Sequence, residues 1–425
     1  MSTPLVTFLG KGVQRLARLR GGGSALPGLF MEKIDPTFIR RTLAQLPMGV
    51  VLVSGTNGKT TTTKMVVELL ESQGLRVFTN RTGSNFMRGV AAALLPEVDH
   101  RGRLSADIAV LELDEAHAVR FVDSIAPEYC LLLNVMRDQL DRFGEIDSTA
   151  QLLKQIAQRT THGIVLNRDD PRLASETFRK DLVVPITTYG VSPSLSHLFP
   201  SDDALRQDST HAGSHLQLDD TCLLKVDKQI ATIAYAKQER TVTLKLKGIY
   251  NVLNSVAAIA LVRSVMGISL NEKAMLSSLE HVLPAFGRGE SVFVDGTECE
   301  LVLVKNPGGF RLSLSSFDPN GYKTMIAVND NYADGRDMSW LWDVDFDSLR
   351  QHGVAMVSGI RAYDMALRLQ YDEVEPSRVE PNLALALDAF LANHKTLPKR
   401  IYCTYTAMLS LRKELAKHTA VEKVL

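Results

Sequence analysis

The densest chemistry in this sequence lies in residues 50–61. The apolar run Val50-Val51-Leu52-Val53-Ser54 leads directly into Gly55-Thr56-Asn57-Gly58-Lys59-Thr60-Thr61. A helical pattern follows, with Met65, Val66, Leu69 and Leu70 on its apolar faces. A strand feeding a glycine-rich turn and then a helix is the layout of a phosphate-binding loop. Backbone N–H groups at the helix start point at an anion, the lysine ammonium neutralises it, and the threonine hydroxyl can ligate magnesium. The spacing is G-x-x-G-K-T, and the first glycine of the longer G-x-x-x-x-G-K-[ST] form is Val53 here. The pattern predicts that Gly55, Thr56, Asn57, Gly58, Lys59, Thr60 and Thr61 bind ATP. A glycine-rich turn that binds nothing would have no use for Lys and Thr in this register.

A second apolar run ends in acids. In Ile108-Ala109-Val110-Leu111-Glu112-Leu113-Asp114-Glu115, strand alternation sends Glu112 and Asp114 to one face and Leu111 and Leu113 to the other. An acid at a strand end facing a phosphate loop is where a P-loop ATPase holds a magnesium ligand. The alternative is a solvated acidic turn. Polar residues also crowd Asn134-Val135-Met136-Arg137-Asp138-Gln139-Leu140-Asp141-Arg142-Phe143-Gly144, after the next strand, where loops carry function. Gly248-Ile249-Tyr250-Asn251-Val252-Leu253-Asn254 opens a helix of small residues. Its asparagines either present an amide to adenine or cap the helix.

These groups need a frame. A chain of 425 residues exceeds one core and implies two or three domains. The formal net charge of zero removes nucleic acid as a default partner. No apolar run approaches a membrane span, and Met-Ser-Thr-Pro-Leu lacks a basic n-region, so a cytoplasmic location is expected. Cys130, Cys222, Cys299 and Cys403 lie far apart, as scattered buried thiols in a reducing compartment would.

Residues 1–46 form a basic helical segment, which either packs on the next domain or lies on an anionic membrane. Strand candidates at 50–53, 76–79, 108–113, 129–133 and 164–166 alternate with helical patterns. This is the signature of a doubly wound α/β domain with a mostly parallel sheet, spanning 47–285. Ligands of such a sheet bind beyond the carboxyl ends of its strands. Ser, Asp, His and Pro from 192 to 219 break the pattern, so 190–245 is expected as an irregular insertion. Runs at 301–304, 324–328, 354–357 and 400–403 predict a second α/β, Rossmann-like domain at 286–425.

Taken together, the motifs resemble the Mur ligases. They are G-T-N-G-K-T-T, the E-x-D-E strand end, N-x-x-x-D-x-x-D-x-x-G, L-N-x-D-D-P at 166–171, and G-x-x-N-x-x-N-x-x-A-A from Gly248. Mur ligases join an amine to a carboxylate through an acyl phosphate made from ATP. The resemblance implies a central P-loop domain, magnesium ligands Thr60 and Glu112, an adenine contact from Asn254 and a nucleotide contact from Arg288.

Departures from the family pattern narrow the choice. Stem-building members carry a uridine-nucleotide domain before the loop, where the basic segment 1–46 stands in this sequence. The family's D-H-x-D histidine is Gln139, and D-Y-A-H-N-P has become Val302-Leu303-Val304-Lys305-Asn306-Pro307. Lys154 lies about where stem-building members place a carbamylated lysine, although an exposed helical lysine is common. With Asn329-Asp330-Asn331-Tyr332-Ala333-Asp334-Gly335-Arg336-Asp337, these departures resemble the amidating branch of the family, which pairs with a GatD-like glutaminase and acts on lipid II. That resemblance implies that Asp337 completes a Cys–His–Asp triad across the subunit interface. On the segment alone, an Asp satisfying turn backbone is the simpler reading. Many members of this branch carry a zinc ribbon in the region of residues 189–245. Here only Cys222, His197, His211 and His215 are present, so no zinc is expected. The other readings are a stem-peptide or folylpolyglutamate-type amino-acid ligase and a non-catalytic ATP-binding scaffold.

Overall fold

The computed structural model describes residues 9–14, 25–80, 86–137, 146–202, 220–284, 288–393 and 395–421. The chain divides into two compact units that change over between Val282 and Leu283, with Met136–Gly144 and Leu246–Tyr250 also belonging to the second.

The first unit is built on a sheet whose described strands are β1 (Val50–Ser54), β2 (Val77–Thr79), β3 (Ile108–Glu112), β4 (Tyr129–Leu132), β5 (Gly163–Asn167), β6 (Ile186–Val191), β7 (Thr221–Asp227), β8 (Ile230–Tyr235) and β9 (Gln238–Thr243). Their order is β2-β3-β1-β4-β5-β6-β7-β8-β9. Pairing is parallel as far as β7 and antiparallel beyond it. β1 is buried along its whole length, which is why it reads as an unbroken Val/Leu run rather than an alternating one. Register pairs Val53 with Glu112 and Ser54 with Leu132, so the ends of β1, β3 and β4 lie side by side. Travel across the sheet reverses at β1, and a sheet opens its ligand crevice at such a switch point.

The stretch expected to be irregular contains the regular strands β7 to β9, which extend the same sheet. Buried Arg168 ties the extension to the parallel part. Its guanidinium donates to Asp220 at 2.8 Å, the Val191 carbonyl at 2.9 Å and the Cys222 sulfur at 3.2 Å. At the N-terminal side, helix α1 (Ala25–Ile34) packs on α3 (Met87–Glu97), with α2 (Lys59–Glu71) between them in the chain. A Cβ on Gly28 would stand 1.9 Å from the Arg88 carbonyl oxygen, so only glycine permits that approach. Lys11 donates to the Val98 carbonyl at 2.6 Å, so the described part of the basic segment rests on this unit. α4 (Glu115–Val122) follows β3. α5 (Ile249–Met266) is apolar and long enough by composition to cross a membrane, which amends the expectation that no run approaches that length, but most of it is buried in the protein.

The second unit holds β10 (Arg288–Val294), β11 (Thr297–Leu303), β12 (Lys323–Ala327), β13 (Met356–Ser358), β14 (Val379–Glu380) and β15 (Lys399–Cys403). Their order is β10-β11-β15-β12-β13-β14, with β10–β11 antiparallel and the rest parallel. Its helices include α6 (Pro307–Ser316), α7 (Ala362–Tyr371) and α8 (Tyr405–Leu415). Glu300 is fully buried. It accepts from Arg400 at 2.8 Å and from Lys247 at 2.5 Å, and the Arg400 guanidinium lies 3.9 Å from the Tyr322 ring centre. A buried carboxylate held by two cations and aromatic faces joins Leu246–Tyr250 to this unit.

Candidate active site

The phosphate loop owes its shape to two glycines. Gly55 has φ +129°, and a Cβ there would stand 3.0 Å from the backbone nitrogens of Leu133 and Asn134. Gly58 has φ +88° and caps α2; its Cβ would lie 2.6 Å from Asn254 Oδ1. Both positions exclude L side chains. Asn134 braces the loop between them. Its side chain accepts from Asn57 N at 2.9 Å and donates to the Asn57 carbonyl at 3.0 Å, and its own carbonyl accepts from Thr56 N at 3.0 Å.

Lys59 is only 6% exposed. Its ammonium donates to the Gly55 carbonyl at 2.6 Å and stands 3.6 Å from Asp114 and 3.7 Å from Glu115. Burial pushes the Glu115 carboxyl well above its ordinary range; the Lys59 charge opposes this and the Asp114 side chain adds to it. The Thr60 hydroxyl donates to Glu112 Oε1 at 2.8 Å. Asn80 brackets the Glu112 backbone, donating to its carbonyl at 2.8 Å and accepting from its N–H at 3.0 Å. Two hard oxygen donors, one of them anionic, converge beside phosphate-facing amides. That set fits magnesium, which takes one or two protein oxygens and completes its shell with phosphate and water.

Asn254 lies against Gly58, with its amide nitrogen 3.3 Å from Asn251 Oδ1. It is therefore a neighbour of the phosphate loop. Arg288 begins β10. Gln139, His211 and His215 lie outside the described residues. Cys222 is buried against Arg168, and His197 is exposed on a short 3-10 helix. Lys154 donates to the Thr177 carbonyl at 2.6 Å. Asn306 of the altered V-L-V-K-N-P segment is a helix cap, accepting from Gly309 N at 2.7 Å at the start of α6.

Three bracing residues had no role in the sequence reading: Asn80, Asn134 and Asp170. Asp170 accepts from Val135, Arg172 and Leu173 N–H groups at 2.7, 3.0 and 3.1 Å. Burial raises its carboxyl to about 6 despite those bonds. The only available signal was that Asn134 and Asp170 each sit in a singled-out motif.

In the second unit the segment after β12 folds around Asp334. This carboxylate is 2% exposed and accepts from Thr406 N at 2.7 Å, Thr406 Oγ1 at 2.5 Å and Asn331 N at 3.0 Å. Asp334 thus pins the loop to the start of α8. Asp337 is half-buried, and hydrogen bonds from Ser339, including its N–H at 2.9 Å, hold its carboxyl below the usual range. It stays ionised at neutral pH, whereas Asp334 is buried among three donors.

A P-loop, a magnesium-type oxygen pair and two α/β units define a Mur-type ligase. The Mur ligase middle domain matches residues 53–262, and the MurT ligase C-terminal domain matches 303–408. The chain is 30% identical over 439 residues to the MurT subunit of the glutamine-hydrolysing lipid II isoglutaminyl synthase of Streptococcus pneumoniae, covering 96% of this chain and 95% of that one. It is 29% identical to the Staphylococcus aureus MurT subunit, over 92% and 93% of the two chains. The chain belongs to the MurT family of Mur ligases. Among solved structures, a pseudomurein peptide ligase from Methanothermus fervidus superposes with TM-score 0.66 at 18% identity, over 90% of this chain and 80% of that one. MurF of Acinetobacter baumannii gives 0.66 at 17%, over 91% and 80%. At such identity these two share the fold.

Proposed function

We propose that this chain is the ATP-consuming subunit of a lipid II isoglutaminyl synthase. It amidates the α-carboxylate of the stem-peptide D-glutamate, with ammonia supplied by a GatD-like glutaminase subunit. The observation that carries this is the convergence of Lys59, Thr60 and Glu112 on one phosphate loop, in a chain related to MurT subunits over nearly its whole length.

In this reading Gly55 to Thr61 hold the triphosphate, Asn254 contacts the adenine, and Arg288 supplies the nucleotide contact that the family resemblance implies. Thr60 and Glu112 would hold magnesium, which would supply charge neutralisation to the phosphates. A substrate carboxylate oxygen attacks the γ-phosphorus and the bond to ADP breaks. Lys59 and the loop amides stabilise the charge that develops. Ammonia then adds to the acyl carbon, the nitrogen gives up one proton, and the C–O bond to phosphate breaks, leaving the amide and inorganic phosphate that takes up the proton. An acyl phosphate hydrolyses readily, so the chemistry requires exclusion of water and a guarded supply of ammonia.

All four cysteines are buried, and burial holds the Cys130 and Cys299 thiols up at about 12. None suits a nucleophile for glutamine hydrolysis, which supports a second chain carrying the Cys–His pair and Asp337 as its third member. The lipid-linked substrate sets the reaction at the inner membrane face. The test is a coupled ADP assay with lipid II and the glutaminase subunit. Glutamine-dependent ADP release with an amidated product is expected. Consumption of an amino acid by the chain alone would make it an amino-acid ligase. Absence of ADP release with every nitrogen donor would leave it a non-catalytic scaffold.

A further inference from the structure

Asp170 lies in the L-N-x-D-D-P motif that follows β5, and the nucleotide chemistry leaves it without a part. One of its oxygens has a local task. Oδ1 caps the short turn Pro171–Ala174, accepting from Arg172 N at 3.0 Å and Leu173 N at 3.1 Å. A cap needs no more than that. Oδ2 instead accepts from Val135 N at 2.7 Å, across 35 positions of sequence. Asp170 and Val135 are both buried, so this bond has no water to replace it.

Val135 follows Asn134, whose side chain and carbonyl hold Thr56 and Asn57 of the phosphate loop. The residue before Asn134 is fixed as well. The Tyr189 hydroxyl on β6 donates to the Leu133 carbonyl at 3.0 Å, and Leu133 N donates to Ser54 at 3.0 Å. Asn134 thus stands between two anchored neighbours. There is little slack on the loop side, because a Cβ on Gly55 would already stand 3.0 Å from the nitrogens of Leu133 and Asn134. A shift of the chain at 133–135 is passed on to the loop rather than absorbed.

We infer that Asp170 is a positioning residue for nucleotide binding: through Val135 it fixes Asn134, and through Asn134 the Thr56–Asn57 peptide of the phosphate loop. This rests on the ATP binding proposed for that loop. An ionised carboxylate accepts more strongly than the neutral acid, so protonating Asp170 loosens the clamp. Burial lifts its carboxyl to about 6, while Arg172 favours the ionised form. The other groups around it are committed elsewhere. Asp147 and Lys154 of the helix Ile146–Arg159 pair with Arg172 and the Thr177 carbonyl. Asp169 accepts from Val191 N beside Arg168. Burial keeps the Tyr189 phenol neutral.

The experiment is calorimetry of the full-length chain with the magnesium salt of a non-hydrolysable ATP analogue. Asp170→Asn keeps an oxygen for the turn and sets an amide N–H against Val135 N–H. At alkaline pH it should raise Kd about tenfold, the order expected when a buried donor loses its acceptor. Ser175→Ala removes the cap of the next turn, which accepts from Phe178 N at 3.2 Å, and should leave Kd unchanged. Added to Asn134→Ala, Asp170→Asn should weaken binding by less than about twofold more, because the two residues act in series. From about pH 8 to about pH 5.5, the gap between wild type and Asp170→Asn should narrow to about threefold, as the wild type loses its carboxylate. If the wild type binds no nucleotide, the ATP reading fails and the clamp with it. If the wild type binds and Asp170→Asn binds as tightly, the clamp alone is refuted. A penalty that adds in full to that of Asn134→Ala, that Ser175→Ala matches, or that is constant with pH would also overturn it.

Discussion

Thr60 and Glu112 are separated by 52 positions, yet the hydroxyl of one donates to the carboxylate of the other at 2.8 Å. The pairing follows from register: Val53 lies opposite Glu112 in the parallel pair β1–β3, so the loop leaving β1 emerges beside the acid. Replacing Glu112 with Ala removes the anionic member of that oxygen pair. Amidation should fall, and the magnesium concentration for half-maximal rate should rise at least about tenfold. An unchanged magnesium titration would remove Glu112 from the metal site.

Lys59→Ala should lower ATP turnover about a hundredfold or more, because one charge-stabilising donor is lost. Near-normal turnover would sink the nucleotide assignment. The change should also alter the pH dependence of stability. Burial already holds the Glu115 pKa above its unfolded value, and Lys59 restrains it. A raised folded-state pKa means that stability is lost as pH rises from the unfolded pKa through the folded one. Without the ammonium that window extends upward, so the variant should lose more stability than the wild type between mildly acidic and alkaline pH. Melting temperatures across that range measure it.

Asp337→Asn should separate the two half-reactions. Glutamine-dependent amidation should drop by orders of magnitude, as it does when a triad acid loses its charge. Amidation from an ammonium salt at high pH should largely survive. The buried and fully engaged Asp334 makes a contrasting control: Asp334→Ala frees Thr406 N and the loop together, so its damage should include local stability. Equal loss of both activities in Asp337→Asn would place that residue in the ligase site or in folding.

Glu300→Ala should destabilise the second unit by about 3–5 kcal/mol, since it leaves Arg400 buried without its carboxylate. The chain's two tryptophans, Trp340 and Trp342, both lie in this unit. Their fluorescence during urea unfolding therefore reports on it directly. A shift below about 1 kcal/mol would show that Lys247 and Arg400 find other partners.

The placement of the site residues was legible wherever it depended on residue type at fixed spacing. The loop glycines, Lys59, Thr60 and Glu112 converge as their motifs implied, because strand ends and a helix start leave few other geometries. The braces were not legible. Asn80 and Asn134 act across 32 and 77 positions, and one asparagine carries no mark of its distant partner. β8–β9 escaped detection for a different reason. Its turn is Ala236-Lys237, with φ +48° and +61°, where Asn-Gly would have announced the hairpin. β9 itself, Gln-Glu-Arg-Thr-Val-Thr, lacks the apolar alternation of a buried strand.

That polarity has a consequence of its own. Among the described strands β9 ends the sheet, so one side of its backbone has no described strand beside it within that sheet. An unpaired border invites a strand from another molecule to anneal to it, and a flat apolar border would seed aggregation at high protein concentration. Glu239, flanked by Lys237 and Lys245, sets charge along this border, while Arg240 is held by Glu272 at 2.6 Å. Exchanging these residues for β-branched ones would strengthen the strand's intrinsic preference while removing its defence against fibre-like growth.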